Sequence, residues 1–293
     1  MNELGVLSPD TSAHRKARGA FFTPPAVSKF LAEWAIRSDA DRVLEPSCGE
    51  AAFLLAASAQ LDELRARGPL FSAPLGNNPQ LVGSEIHTPS AQTARKLLTE
   101  AKSPALIREE DFFEVPPARE FDAVLGNPPF VRYQNFVGAA RTKGLRAALA
   151  AGVNLSGLSS SWAPFLIHST RFLKPNGRLG MVLPAELLSV HYAGPVRRFL
   201  LERFASLRIV VFERLIFKDA LENVVLLMAE GTGGCDNIEV MQVQDAEDLP
   251  PGNSTSVHSR TFRDDRWVAT LVKPDAWAAF TAVGDSSLCE RLK

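Results

Sequence analysis

From residue 42 to about 230, short β-rich apolar runs alternate with stretches of helical period, and that interleaving leaves few architectures open. Strands are expected at 42–45, 80–85, 105–109, 121–125, 177–183, 207–212 and 223–228, with helices at 25–36, 51–65, 90–101, 160–173 and 184–203. Strands repeat their faces every two residues and helices every 3.6, so the pattern predicts βαβ units. The expected fold is α/β: a seven-stranded, doubly wound, Rossmann-like sheet with helices on both faces. Pro24 and Pro25 suit a first helical turn, where a missing N–H costs nothing.

Punctuation sets the organisation. The segment 68–79, rich in Gly, Pro and Asn, reads as a surface insertion, and a second long loop follows Phe130. The glycine cluster at 231–234 and the stretch 245–256 mark a composition change. A catalytic domain at 1–230 and a carboxyl-terminal extension at 231–293 are expected.

The chain has 293 residues, 46% hydrophobic and 22% charged, which is globular composition with length for one large domain or two ordinary ones. Its net charge of -1 gives no global sign of a polyanion partner, so any such case rests on local charge. Cys48, Cys235 and Cys289 form no CxxC pair and the five histidines are scattered. Neither a disulfide framework nor a metal site is expected, and the setting is read as reducing and cytoplasmic. With a polar amino terminus and no run of eighteen apolar residues, no export signal or membrane span is expected.

Chemistry concentrates where strands end. Val43 to Leu54 reads as strand, tight loop and helix, with Glu45 at the strand end and Gly49 permitting close backbone approach. The loop's single glycine departs from GxGxxG, so a ligand without a pyrophosphate fits better. Glu85 ends the second strand, where a carboxylate commonly accepts both ribose hydroxyls; a plain strand-end acid is the competing reading. Asp111 suits an adenine amine and Phe112 its ring; an ordinary loop aspartate is the competing reading. Asn127-Pro128-Pro129-Phe130 follows the fourth strand. Two prolines fix φ and remove two donors, leaving carbonyl oxygens and one Asn side chain that suit an NH2 group. Jointly these positions describe S-adenosylmethionine beside an amine-gripping loop.

At these residues the chain resembles the gamma class of adenine-N6 DNA methyltransferases of restriction-modification systems, over roughly residues 15 to 230. The resemblance runs through Arg18-Gly19-Ala20-Phe21-Phe22-Thr23-Pro24-Pro25, Glu45-Pro46-Ser47-Cys48-Gly49, Glu85, Asp111-Phe112 and Asn127-Pro128-Pro129-Phe130 to Gly177-Arg178-Leu179-Gly180-Met181-Val182-Leu183-Pro184. It implies the class I S-adenosylmethionine-dependent methyltransferase fold. It further implies that Phe21, Thr23, Glu45, Pro46, Cys48, Gly49, Glu85, Asp111, Phe112 and Pro129 hold the cofactor. Asn127 and the Pro128 carbonyl would bind the target amine, Phe130 would stack on a flipped adenine, and Phe217 would cover its edge or other face. Ala51 stands where the family usually carries a second glycine, so crowding of the cofactor or a changed turn is expected, with weaker binding.

The implied reaction extrudes a base from DNA, stacks it on Phe130 and moves a methyl group to its exocyclic amine without a general base. Between residues 127 and 158, Arg132, Arg141, Lys143 and Arg146 occur with no acidic residue, a local charge of +4 expected to meet DNA phosphates or simply to be solvated. Arg15, Lys16 and Arg18 are candidates for the same task. Two further readings stay open: transfer to a glutamine amide in protein, and a catalytically silent or truncated DNA-binding subunit. A separate specificity or restriction subunit is an expected partner.

Overall fold

The computed structural model describes residues 23–68, 78–216, 223–250, 258–261 and 267–268. Phe21, Arg15, Lys16, Arg18, Phe217 and most of the insertion lie outside them.

In chain order the described elements begin α1 (Pro25–Ala35), β1 (Val43–Pro46), α2 (Ala52–Arg67), β2 (Leu81–Glu85), α3 (Thr88–Glu100) and β3 (Ala105–Glu109). There follow β4 (Phe121–Gly126), α4 (Gly138–Leu149), α5 (Trp162–Thr170), β5 (Leu173–Pro184), α6 (Glu186–Ser189) and α7 (Gly194–Arg203). The last are β6 (Ser206–Phe212), β7 (Val224–Glu230), β8 (Asn237–Val243) and β9 (His258–Thr261). They build one nine-stranded sheet in the order β3-β2-β1-β4-β5-β7-β6-β8-β9. The strands β3 to β5 run parallel, whereas β7 slots antiparallel between β5 and β6.

Period-two patterning divides the core. Along β7, Val225, Leu227 and Ala229 face one apolar layer with α5 and α7, while Val224, Leu226 and Met228 face the other with α1 and α2. Each successive residue is buried on the opposite side of the sheet, which is why the strand reads as an unbroken apolar run. In β4 a register shift between Phe121 and Ala123 turns Phe121 onto the α5 face while Ala123 and Leu125 face α1. Trp267 reaches back to this core: it is fully buried and its N–H donates to the Leu188 carbonyl, 2.8 Å away.

Several expectations change. The seven expected strands are all present, and β8 and β9 extend the sheet beyond them: β8 pairs parallel with β6 and β9 antiparallel with β8. The boundary expected near residue 231 therefore lies inside the sheet, at a turn where Gly231, Gly233 and Gly234 have positive φ. The single helix expected over 184–203 is split into α6, a 3-10 turn at His191–Ala193 and α7, because Pro195 has no N–H to continue a helix and instead sits in the first turn of α7. The loop expected after Phe130 contains α4. Its Gly144 explains the packing: a Cβ there would lie 2.9 Å from the Phe136 ring and 3.2 Å from Phe113 and Pro164.

Candidate active site

The carboxyl ends of β1, β2 and β4 and the turn after β3 open into one cleft of about 1080 Å³. Thr23, Glu45, Cys48, Gly49, Glu85, Asp111, Phe112, Asn127 and Pro129 all line it. These nine residues singled out from the sequence meet at one cleft beyond the strand ends, whereas Pro46, Pro128 and Phe130 are not among the residues lining it.

The loop after β1 is built for close approach. Ser47, Gly49 and Ala51 have φ of 66°, 52° and 67°, and the Cys48 N–H donates to the Ser84 carbonyl at 2.9 Å, extending the β1–β2 ladder. Gly83 of β2 makes room: a Cβ there would sit 2.9 Å from the Cys48 sulfur and 2.7 Å from Ile107. Burial, and then the negative charges of Glu45 and Glu85, push the Cys48 thiol far up, so it stays protonated and serves as packing. Ala51 stands in the same turn, and it is not among the residues lining the cleft. Its backbone keeps the left-handed turn, and its methyl group is buried in the α1–α2 core, away from the cleft.

The two strand-end acids differ in use. Glu45 is 3% exposed and accepts from the N–H groups of Leu54 at 2.9 Å and Phe53 at 3.3 Å, in the first turn of α2. Both oxygens are therefore committed to capping a helix across the loop. Burial raises its pKa well above the usual value, the Leu54 and Phe53 N–H groups oppose this, and Glu85 adds to it. Glu85 accepts from Gly49 N–H through Oε2 and His87 N–H through Oε1, both at 2.8 Å. Each Glu85 oxygen accepts a single backbone bond and keeps a second lone-pair direction at the cleft. Next to it Ile86 is 69% exposed, an apolar surface over the cleft that sequence reading passed over; its signal is an isoleucine directly after a strand-end acid.

Asp111 caps the 3-10 turn Phe112–Glu114, taking the Phe113 N–H on Oδ1 at 3.1 Å, and its Oδ2 accepts from Lys143 Nζ at 3.0 Å. Lys143 also reaches Glu114 at 2.9 Å, and the two carboxylates raise its pKa. Lys143, expected to meet DNA phosphates or to be solvated, lies between the carboxylates of Asp111 and Glu114. Arg141 donates to the Gly157 carbonyl, while Arg132 and Arg146 are exposed. Phe112 is 5% exposed, with its ring centroid 5.0 Å from those of Phe165 and Phe172. Behind it His168, 2% exposed, pairs through Nε2 with the Phe112 carbonyl at 3.0 Å, and burial lowers its pKa to about 4.

After β4 the Asn127–Phe130 turn closes the cleft. Asn127 Nδ2 donates to Thr23 Oγ1 at 3.3 Å and its Oδ1 is buried. Ser161 Oγ donates to the Pro129 carbonyl and accepts from the Val131 N–H at 2.8 Å. Among the described residues no hydrogen bond is made to the Pro128 carbonyl. Phe130 is half-buried between the two core layers. Among the described residues no cluster of three or more His, Cys, Asp or Glu is placed to hold a metal ion, and no helix is long and apolar enough to cross a membrane. Acceptors at Glu85 and Asp111, apolar cover from Ile86 and Phe112, and a loop with one glycine fit an adenosyl group without a phosphate chain.

The family profile described as N-6 DNA Methylase matches residues 5–259. Among curated proteins, the chain is similar to the Type II methyltransferase M.AccI of Acinetobacter calcoaceticus, 23% identical over 239 residues covering 80% of this chain and 41% of that protein. It is also similar to M.XhoI of Xanthomonas vasicola, 30% identical over 208 residues covering 64% of this chain and 37% of that one. The chain thus spans about two fifths of the length of these relatives. Among solved structures, the modification subunit of a putative type I restriction enzyme from Vibrio vulnificus YJ016 superposes with a TM-score of 0.59 at 21% identity, over 79% of this chain and 49% of that one. The Type ISP restriction-modification enzyme LlaGI, in complex with a DNA substrate mimic, superposes with a TM-score of 0.65 at 15% identity, over 85% and 31%. These two likenesses support the fold, and the profile, which covers most of the chain with the whole cleft inside its span, decides the lineage: the chain belongs to the N-6 DNA Methylase family.

Proposed function

We propose that this chain transfers a methyl group from S-adenosylmethionine to the exocyclic amine of an adenine turned out of DNA, within a restriction-modification or related defence system. The observation that carries the reading is the meeting of Asn127 and Pro129 with Glu85, Asp111 and Thr23 around one cleft. S-adenosylmethionine supplies an electrophilic methyl group when bound. Glu85 offers acceptors for ribose hydroxyls, Asp111 an acceptor for the adenine amine, and Ile86 and Phe112 apolar cover. Because the Asn127 Nδ2 is engaged with Thr23, the amide presents Oδ1 as its acceptor. That oxygen and the Pro128 carbonyl draw on the two N–H bonds of a planar amine, which favours its pyramidal form and releases the lone pair for attack. Phe130 replaces the stacking the base loses on leaving the helix, about 1 to 3 kcal/mol. We assign Arg132 and Arg146 to DNA phosphates. Choice of DNA sequence is assigned to a further domain or a separate specificity subunit, a reading supported by relatives more than twice as long as the matched span.

The test is incubation of the chain with methyl-labelled S-adenosylmethionine, DNA and a protein fraction. Label in N6-methyladenine after nucleoside digestion is the expected result. Label confined to glutamine in protein would replace the proposal with the amide reading, and none in either with the silent-subunit reading.

A further inference from the structure

The turn after β4 has to be rigid to hold acceptors toward an amine, yet prolines restrict only its φ angles and leave its carbonyls to be aimed by something else. Ser161, 2% exposed at the amino end of α5, makes three bonds to that turn. Its Oγ donates to the Pro129 carbonyl, the same oxygen accepts from the Val131 N–H at 2.8 Å, and the Ser161 N–H donates to the Val131 carbonyl at 2.9 Å. One hydroxyl therefore fastens both sides of Phe130, and it turns the Pro129 carbonyl away from the role proposed for that of Pro128. The next residue is anchored in turn. Trp162, fully buried, donates from Nε1 to Tyr192 Oη at 3.0 Å and to Glu186 Oε2 at 3.3 Å, and Tyr192 Oη donates to the same carboxylate oxygen at 2.5 Å. Burial and then the Glu186 charge push the Tyr192 phenol up, so it remains a donor across the neutral range. Glu186 opens α6, directly after β5, the strand beside β4. The first turn of α5 is thus a clip between the amine-gripping turn and the end of the neighbouring strand.

We propose that Ser161 is the positioning residue of the Asn127–Phe130 turn, and that the Trp162, Tyr192 and Glu186 trio holds Ser161 in place. This rests on the amine-binding reading of the turn. None of these four residues was singled out in the sequence, because the partners of Ser161 and Trp162 lie 24 to 32 residues away.

Ser161→Ala, measured in the full chain, is expected to lower kcat about 10- to 100-fold, the effect of a misplacement on the order of 1 Å. KM for S-adenosylmethionine and for DNA should stay within about threefold, since the loss falls on the aligned state. Ser161→Thr, which keeps the hydroxyl, should recover most of the rate, and Tyr192→Phe should give a smaller loss confined to kcat. Amide exchange supplies a readout that needs no substrate: the Val131 N–H should exchange at least about tenfold faster in Ser161→Ala while β4 and β5 stay protected. Wild-type kcat in Ser161→Ala, a change confined to KM, or an equally protected Val131 overturns the proposal. Should the wild-type chain methylate no DNA, the function assigned to the turn fails, and Val131 exchange alone still decides whether Ser161 holds it.

Discussion

Carboxylates crowd both rims of the sheet, but they are neutralised differently. At the amino-terminal rim four of them meet a cation: Asp41 with Arg178 at 3.0 Å, Glu120 with Arg42 at 2.7 Å, Asp122 with Lys174 at 2.7 Å, and Glu230 with Arg37 at 2.6 Å. At the carboxyl-terminal rim Glu45 and Glu85, which line the cleft, accept from backbone N–H groups, whereas Asp111 and Glu114 share Lys143 and Glu109 meets Arg95. A guanidinium or ammonium cancels a carboxylate's charge, although at Asp111 it leaves a lone-pair direction on each oxygen. Backbone amides orient a carboxylate while leaving its charge to act on whatever enters the cleft. The same residue types thus fasten the sheet at one end and line the cleft at the other.

The sharpest way to break this division is to compare one substitution from each rim. Asn127→Ala should lower kcat by about 10²- to 10³-fold, roughly 3 to 4 kcal/mol of barrier. Its unfolding free energy in urea should move by no more than about 0.5 kcal/mol, because it removes no core contact of consequence. Arg178→Ala should do the reverse and cost about 3 kcal/mol of stability, by leaving Asp41 buried without its cation. The lower end of the usual range is expected because Asp41 Oδ2 also accepts from the Arg37 and Ser38 N–H groups. Folded Arg178→Ala should bind cofactor and turn over as the wild type does. A kcat loss in Arg178→Ala comparable to that in Asn127→Ala would show that the two rims are coupled and end the division.

His168 sharpens the comparison through pH. Its pKa falls from the ordinary 6.5 to about 4 in the fold, mainly by burial, so between those values the unfolded chain binds a proton the folded chain does not. Stability from this group is full above pH 6.5 and is lost as pH falls toward 4, by up to about 3 kcal/mol. Glu45, raised by burial, works in the opposite sense: the cost of its charge appears as pH rises above the ordinary 4.5. Urea unfolding of wild type and His168→Gln at pH 7 and pH 4.5 isolates the histidine, the wild type losing more on acidification. Equal losses would mean that His168 is charged in the fold and that the Phe112 carbonyl is not held by a neutral ring.

What could be read from the sequence follows from range. Strands buried on both faces, such as β7, announce themselves as apolar runs, and residues at strand ends sit next to those runs, so the place of Glu85, Asp111 and Asn127 at the cleft was legible. Structure held together by distant partners was not. α4 hides because Gly138 and Gly144 break its pattern and its buried face is Gly144, Ala147 and Ala148. Lys143 counted as a free cation in a basic stretch until the fold brought it against Asp111, 32 residues earlier. In β8 the alternation of Ile238 and Val240 was a usable signal, masked by the polar residues between and around them.

The smallest effect belongs to Ala51, where three local terms nearly cancel. A non-glycine residue at φ 67° carries about 1 kcal/mol of strain, which Ala51→Gly would release. The same change removes a fully buried methyl group, worth about 0.8 kcal/mol, and loosens the unfolded chain by about 0.5 kcal/mol. The sum is expected to lie within about 0.5 kcal/mol of zero by urea unfolding, a near-cancellation that explains how alanine is tolerated in a left-handed turn. Isothermal titration with S-adenosylmethionine should give affinities within about twofold of each other, because the methyl group points into the α1–α2 core and the turn is already formed. A tenfold gain for glycine would put the methyl group against the ligand after all, and the ligand-facing rim would then hold a residue that trades affinity for packing.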